Sequence, residues 1–399
     1  MPQAFEGIRI IDFTQVLAGP FAVMQLALLG AEVIKVEQPE TGDQTRGLMS
    51  NTRNQGMSPS FMGMNLNKKS ITLNLNSAEA KEIVKKLVLE ADVLVENFKA
   101  GTMQRMGLSY EELLVVKPDL IYCSVTGYGQ DGPKAGEAAY DGAIQASSGM
   151  MSQTGHPTTG PTRTGFMPVD MSTALNTAFA ISTSLYRKAQ TGKGQYIDVA
   201  MMDTAVVMQA AQYDNYLNQG NLVGLLGNAS PTKQPTANLF PTKDGFIQVT
   251  ALSQSQIEKL FDALGKLEEL EQPIFKTSEA RVKNSDAVKK FLSEALKRNT
   301  TSYWMTNLSK AGIPVAEVRE LPEVIEDPQF ESREVFESIV SPLKSDESVT
   351  LVKAGYVMSK DGPTVHLNPP KLGEHTNEIL GSLGYSEASI SEFRQAGII

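Results

Sequence analysis

The sequence predicts an α/β fold: a large Rossmann-like domain on a mostly parallel sheet, with a second, smaller domain. Three observations predict it. Gly7 to Gly47 reads as strand, loop, helix and strand; strand-like and helix-like segments keep alternating through the first half of the chain; and beyond about Leu217 the texture changes to a stretch rich in Gly, Asn, Pro and Thr. Alternation of this kind lays parallel strands side by side, with helices over both faces of the sheet.

The elements follow in order. Ile8 to Phe13 is an apolar run and gives the first strand. A turn at Ala18-Gly19-Pro20 leads into an apolar helix closing at Gly30, and Glu32 to Glu37 is the second strand. Ser77 to Ala91, SAEAKEIVKKLVLEA, is an amphipathic helix with Ser77 as N-cap, because a serine hydroxyl accepts an N–H that the first turn leaves open. DVLVENF is a strand, SYEELLVVKP a helix ended before Pro118, and DLIYCSVTGYG a strand running into a glycine-bearing loop. Ala143 to Gly149 reads as helical and Met150 to Gly165 as a Gly/Pro/Thr loop. After Asp170 comes a long helix, MSTALNTAFAISTSLYRKAQ, stopped by Thr191-Gly192-Lys193-Gly194; the strand QYIDVAM and a helix to about Leu217 follow. Asn218 to Asp244 then leads into the strand GFIQVTA and mixed helical segments, which places the smaller domain at Leu222 to Leu321. The tail from Leu372 reads as two short helices, and no internal repeat breaks the pattern.

Composition removes several classes of function. With 399 residues, 41% of them hydrophobic, the chain can bury a sizeable core. Its 36 basic and 45 acidic side chains leave a net charge of −9, which argues against nonspecific nucleic-acid or anionic-membrane binding, since both need a positive surface. No window is apolar for the length of a bilayer span, and Met1 to Phe5 lacks the charged and apolar regions of a leader peptide. The single cysteine, Cys123, lies in an apolar strand and has no partner for an intrachain disulfide. The expected setting is cytoplasmic. A nicotinamide-dependent dehydrogenase would carry G-x-G-x-x-G between its first strand and helix; here the connection is Thr14-Gln15-Val16-Leu17-Ala18-Gly19-Pro20. The three histidines, His156, His366 and His375, have no metal-ligand spacing, so no metal is expected.

The segments DFTQVLAGPFA, LGAEVIKVE and GDQTRG, then LNLNS at Leu73, ADVLVENFKAG with RMGL from Ala91, VTGYGQDGP at Val125, the Asp170 segment, TGKGQYIDVAMMD and LGEHT, span essentially the whole chain. In order and spacing they resemble the class III CoA-transferases, the family of formyl-CoA transferase and crotonobetainyl-CoA:carnitine CoA-transferase. The resemblance implies a large α/β domain made from both chain ends (residues 1–221 and, after a linker, 322–399) and a small middle domain (222–321). It further implies a homodimer whose subunits thread through each other as interlocked rings.

An aspartate just before a helix is ordinarily an N-cap. The resemblance makes Asp170 instead a nucleophile that attacks an acyl-CoA thioester, giving an acyl-aspartyl anhydride and then an aspartyl-CoA thioester. With an ordinary pKa of about 3.9 it is already an anion at neutral pH. A carboxylate needs no base to attack; it needs a stabilised oxyanion and a site closed to water. By the same resemblance Leu73, Asn74, Asn97, Phe98 and Arg105, with the Val16 backbone and Tyr140, hold CoA, which enters as substrate; no tightly bound cofactor is expected. Lys68, Lys69 and Lys99 are candidate phosphate neighbours by sequence position, and Gln38 stands where relatives carry an arginine. Leu222 to Ala229 is a candidate closing loop, equally an ordinary interdomain loop. Leu17 occupies the position of a glutamine in formyl-CoA transferase, which predicts a less polar wall; Leu17, Phe21 and Met49 are candidates for shaping the substrate or for the core.

The rival within the superfamily is an α-methylacyl-CoA racemase, which pairs its aspartate with a histidine at the position of Tyr140; no histidine occurs between Met1 and Gly155. A noncatalytic acyl-CoA-binding dimer is the alternative outside enzymes. The expected substrates are an acyl-CoA, with succinyl-CoA leading, and a small carboxylic acid. A dicarboxylate is favoured because Arg46, Arg53 and Arg163 offer cations for a distal carboxylate, and carnitine-type acceptors stay open.

Overall fold

The computed structural model describes residues 2–48 and 56–399. Six parallel strands form its central sheet: β1 (Arg9–Asp12), β2 (Glu32–Glu37), β3 (Lys68–Thr72), β4 (Val93–Glu96), β5 (Ile121–Thr126) and β6 (Gln195–Ala200). Across the sheet they run β3-β2-β1-β4-β5-β6, with Ile10 opposite Val33 on one side and Val93 on the other. The inner strands β1, β4 and β5 are buried and largely apolar because helices cover both faces of the sheet. On one face Ile10, Val33, Val93 and Cys123 meet Val23 and Leu26 of α1 (Ala18–Ala27). They also meet Ile181 and Leu185 of a long helix at Pro168–Thr191. On the other face Ile11, Ile34, Ile71 and Leu94 meet Ile83 and Leu87 of α2 (Ala78–Leu89) and Leu113 of α3 (Tyr110–Val116). Ser77 caps α2 by accepting the Ala80 N–H at 3.0 Å, and Ser109 with Glu112 forms a capping box on α3. A fourth helix, α4 (Asp141–Ser147), precedes the long one, now α5 (Pro168–Thr191), and α6 (Met201–Met208) follows β6.

The chain divides into two compact units. One comprises the residues up to Ser148, 164–213 and 328–399; the other comprises 149–163 and 214–327. The second has its own antiparallel sheet, β7 (Ala237–Pro241), β8 (Phe246–Thr250) and β9 (Val315–Glu317), with β8 in the middle. Its core gathers Phe240, Ile247, Phe261, Leu292 and Trp304, and the Trp304 indole donates to Leu296 O at 2.6 Å. The last 72 residues return to the first unit. The hairpin β10 (Phe336–Val340) and β11 (Ser348–Val352) sets Leu351 against Met24 and Phe61. Then α7 (Thr376–Ser382) and α8 (Glu387–Gln395) add Leu380 and Ile390 beside α2.

Several elements differ from their sequence reading. Ala18-Gly19-Pro20 is the first turn of α1, not a turn before it; proline fits there because those N–H groups have no intrahelical partner. Gly19 is required by proximity, since a Cβ on it would lie 2.4 Å from the Thr14 Cβ. The helix expected to reach Leu217 is two, broken after Met208. Residues 150–165 contain a short helical turn, Met150–Gln153, and a two-residue ladder.

Strand β3, KKSIT, carries no apolar pattern because one of its lysines is neutralised inside the molecule and the other at the sheet's edge. The Lys68 ammonium is fully buried 2.8 Å from Asp12, and Lys69 bridges Glu32 and Glu378. Beside them Arg46, 4% exposed, grips Glu37 through Nε at 2.8 Å and Nη2 at 2.7 Å, lies 3.7 Å from the Phe61 ring centre, and donates to Pro370 O. This pair joins β2 to the C-terminal return. Arg46→Leu would leave the Glu37 carboxylate buried without that partner and is expected to cost about 3 kcal/mol or more in urea unfolding followed by circular dichroism; a loss under about 1 kcal/mol, the size of an exposed pair, would contradict the assignment.

Candidate active site

The strand order reverses between β1 and β4, and in open parallel sheets that crevice, outside the carboxyl ends of the strands, is where ligands bind. The chain leaving β1 and the chain leaving β4 are locked together here. Gln15 N–H donates to Asn97 Oδ1 at 2.8 Å, and Asn97 Nδ2 donates to Gln15 O at 2.8 Å. Next to this clasp lies a cleft of about 350 Å³, lined by Gln15 to Ala18, Gln44, Asn97 to Ala100, Val125 to Gly129, Gly136 to Tyr140, Asp170 and Met201. Gly127 is what lets two of these segments approach: a Cβ there would fall 2.2 Å from the Ala139 Cβ.

Asp170 is not the cap of its helix. It is the third residue of α5, and the cap oxygen comes from elsewhere: Asp141 Oδ2 accepts the N–H groups of Val169 at 2.9 Å and Asp170 at 3.1 Å. Gln145 fixes the other oxygen of Asp141 at 2.5 Å. Among the described residues no donor reaches the Asp170 carboxyl. Burial, and then the neighbouring Asp141 charge, push its pKa up to about 7, so it is less fully ionised at neutral pH than the sequence suggested.

The wall containing Val16 is built on buried charge. Asp12 Oδ1 accepts Thr14 N–H at 2.8 Å and Thr14 Oγ1 at 2.5 Å; Lys35 Nζ donates to Thr14 O at 2.5 Å; Asp43 Oδ1 accepts Val16 N–H at 3.2 Å. Lys35 pairs with Asp43 at 3.0 Å, and Lys68 with Asp12 at 2.8 Å. Burial alone would raise the Asp12 and Asp43 carboxyls, but the lysines outweigh it and hold both below their ordinary values. Burial, only partly offset by Asp12, pulls Lys68 down to about 8.

The sequence candidates divide. Val16, Leu17, Asn97, Phe98, Lys99 and Tyr140 line the cleft with Asp170. Leu73 is a core side chain, 1% exposed; Asn74 bonds Ile398 O and Gly397 O at the C-terminus; Arg105 is exposed and donates to Thr102. Lys68 and Lys69 are held in the ion pairs described above, and Arg46 by Glu37, so none of the three is a free cation. Phe21 is in the core. Arg163 and Leu222 to Ala229 belong to the second unit, where Gly227 N–H donates to Gly155 O at 2.8 Å; Met49 and Arg53 fall outside the described residues. His156, His366 and His375 are absent from the described cleft lining, where Tyr140 stands with Asp170. No group of three potential metal ligands occurs among the described residues, and none of the described helices is long and apolar enough to cross a membrane.

Sequence reading missed Asp141, whose signal was a lone acid opening the helical run after Ala139-Tyr140. It also missed Glu96, buried at the end of β4, which accepts Phe98 N–H at 2.8 Å. Burial pushes Glu96 up to about 7 against the hydrogen bond from Ser124. It faces an adjoining cavity of about 580 Å³ that shares Lys99, Ala100 and Gly136 with the cleft.

Comparison with known proteins gives one answer. The model of CoA-transferase family III matches residues 5–376. The chain is 36% identical to the succinyl-CoA:glutarate CoA-transferase of Homo sapiens, over 99% of this chain and 89% of that one. It is 32% identical to the succinyl-CoA:mesaconate CoA-transferase of Haloarcula marismortui, over 96% of each. The crystal structure of a CAIB/BAIF family protein from Brucella suis superposes with a TM-score of 0.86 at 35% identity, covering 96% of this chain and 100% of that one. The parallel sheet, its cleft and these matches lead to one conclusion: the chain belongs to CoA-transferase family III and is an enzyme of that family.

Proposed function

We propose that the protein moves CoA from an acyl-CoA donor, with succinyl-CoA the leading one, to a small dicarboxylic acid, with Asp170 as the nucleophile. The observation that carries this reading is a half-buried carboxyl at the switch-point cleft that no described donor engages, because Asp141 has taken over the capping of α5. The named substrates of the two relatives above, succinyl-CoA with glutarate or mesaconate, support the substrate class.

The steps balance without any proton carrier. An Asp170 oxygen adds to the donor thioester carbonyl, the C–S bond breaks and CoA leaves as thiolate, giving a mixed anhydride. The thiolate adds to the aspartyl carbonyl and expels the donor acid as its carboxylate, leaving an aspartyl-CoA thioester. The acceptor carboxylate adds to that carbonyl, thiolate leaves again, and its attack on the acceptor acyl carbon releases the new thioester and the original carboxylate. Val16, Leu17, Asn97, Phe98 and Tyr140 would form the walls for the thioester end. Lys99, the one cationic side chain among the described cleft residues, would face a CoA phosphate or the distal carboxylate. Leu73, through its backbone, with Asn74 and Arg105, would serve the nucleotide end, a reading that rests on family resemblance. The subunit is proposed to work as an interlocked homodimer; Leu175, Phe179 and Tyr186, exposed apolar residues on α5, support a partner there.

Incubation with succinyl-CoA and a panel of carboxylic acids should yield new acyl-CoA masses, glutarate-like acids foremost. Asp170→Asn and Asp170→Ala should each lower the rate by at least about a thousandfold with the fold intact. Retained activity in either variant would refute the assignment.

Because the carboxylate is the reacting form, turnover should rise with pH through about 7. Asp141→Asn keeps an oxygen for the α5 N–H groups but removes the like charge, so it should move that limb to lower pH. Stability gives the opposite sign: between its ordinary value and about 7 folded Asp170 holds a proton that the unfolded chain has lost, so its contribution falls as pH rises. A flat rate profile between about pH 5 and pH 9 would contradict the nucleophile's ionisation.

A further inference from the structure

Val16 stands at φ +71°, a left-handed conformation that is uncommon for any residue but glycine and a clear outlier for a β-branched one. A strained residue of this kind persists only where its surroundings over-determine it, and such residues concentrate where function requires them. The surroundings here are unusually complete. Backbone groups of Thr14, Gln15 and Val16 are met by Asp12, Lys35, Asn97 and Asp43. Asp43 is itself fixed from three further directions: its backbone N–H donates to Glu37 at 3.0 Å, its Oδ1 accepts Thr45 N–H at 2.9 Å and Thr45 Oγ1 at 2.7 Å, and its Oδ2 faces Lys35 at 3.0 Å.

Asp12, Lys35, Asp43 and Lys68 have fully buried side chains, two acids against two bases, so their charges balance in the absence of water. Apolar residues of the same volume would commonly hold a core as well as buried ion pairs do, so stability alone does not account for the four charges. The cluster does what apolar residues cannot: it presents acceptors and a donor in fixed directions to one backbone turn, and that turn lines the cleft containing Asp170.

We propose that Asp43, clamped by Lys35 within this buried four-charge cluster, is a positioning residue that holds Val16 in its left-handed conformation and so sets the wall past which the thioester approaches Asp170. The inference rests on the transferase reading for its kinetic consequence but not for its structural one. Misplacement of a cleft wall by about an ångström is enough to cost about a hundredfold in rate. Asp43→Ala removes the acceptor, whereas Asp43→Asn keeps an oxygen for the Val16 N–H but replaces the oxygen facing Lys35 with an amide NH2, so the ionic clamp is lost.

The test compares Asp43→Ala and Asp43→Asn in the parent and in the Val16→Gly background, by kcat and KM for CoA transfer together with thermal unfolding. Glycine adopts φ above zero without strain, so the turn no longer needs to be held. In the parent, Asp43→Ala should reduce kcat by about a hundredfold, with a smaller change in KM, and Asp43→Asn by less. In the Val16→Gly background the additional loss from Asp43→Ala should shrink to a few-fold. An equal loss in both backgrounds, or none in the parent, would overturn the proposal. If Asp43→Ala does not fold, Val16→Gly decides alone: relief of strain predicts a melting temperature at or above the parent's, and a fall of several degrees overturns it. Should the parent transfer no CoA to any acid, the proposed function fails while this thermal comparison still stands.

Discussion

Two hydrogen bonds from the start of α5 to Asp141 decide what Asp170 can do. A helix N-terminus seeks an oxygen, and an aspartate in its first turn would ordinarily help supply one. With Asp141 doing so from α4, and Gln145 orienting it, the Asp170 carboxyl is left without a donor among the described residues. The same neighbour that frees the carboxyl also raises its pKa, after burial has done most of that work. A carboxylate that is poorly solvated and adjacent to another acid is a better nucleophile than one at rest in a capping bond.

The rest of the cleft follows from sheet topology. Reversal of strand order between β1 and β4 opens a crevice, the Gln15–Asn97 clasp ties together the chains leaving those strands, and the buried pair of Lys35 with Asp43 fixes the turn after β1. A nucleotide-binding glycine loop is not what occupies this position. Its place is taken by a turn whose backbone polar groups are largely engaged inward, which suits a substrate whose reactive end is an uncharged thioester.

Much of the sheet was legible because buried parallel strands are rich in apolar residues, as in β4 and β5; β2 matched its reading residue for residue, and Ser77 announced α2. Strand β3 was not legible. Its lysines look like surface until Asp12 and Glu32, residues far away in the chain, are known to lie beside them. Arg46 is the same case: an arginine offered as a substrate cation is engaged by Glu37, a pairing that local sequence does not announce. Asp170 was visible only through family resemblance, since an acid near a helix start is commonplace; Asp141 opened a helical run in the same commonplace way, and its role depends on a contact across 29 positions. The strain at Val16 leaves no mark in sequence at all.

Oxygen transfer tests the central claim most directly. If the acceptor carboxylate attacks an aspartyl thioester, and CoA thiolate then attacks the acceptor's acyl carbon, the bridging oxygen stays on Asp170. Turnover with an acceptor acid labelled with oxygen-18 in its carboxyl groups, followed by peptide mass spectrometry, should therefore show heavy oxygen in the Asp170 carboxyl and in no other side chain. Product formed over many turnovers with an unlabelled Asp170 would contradict covalent transfer through this residue.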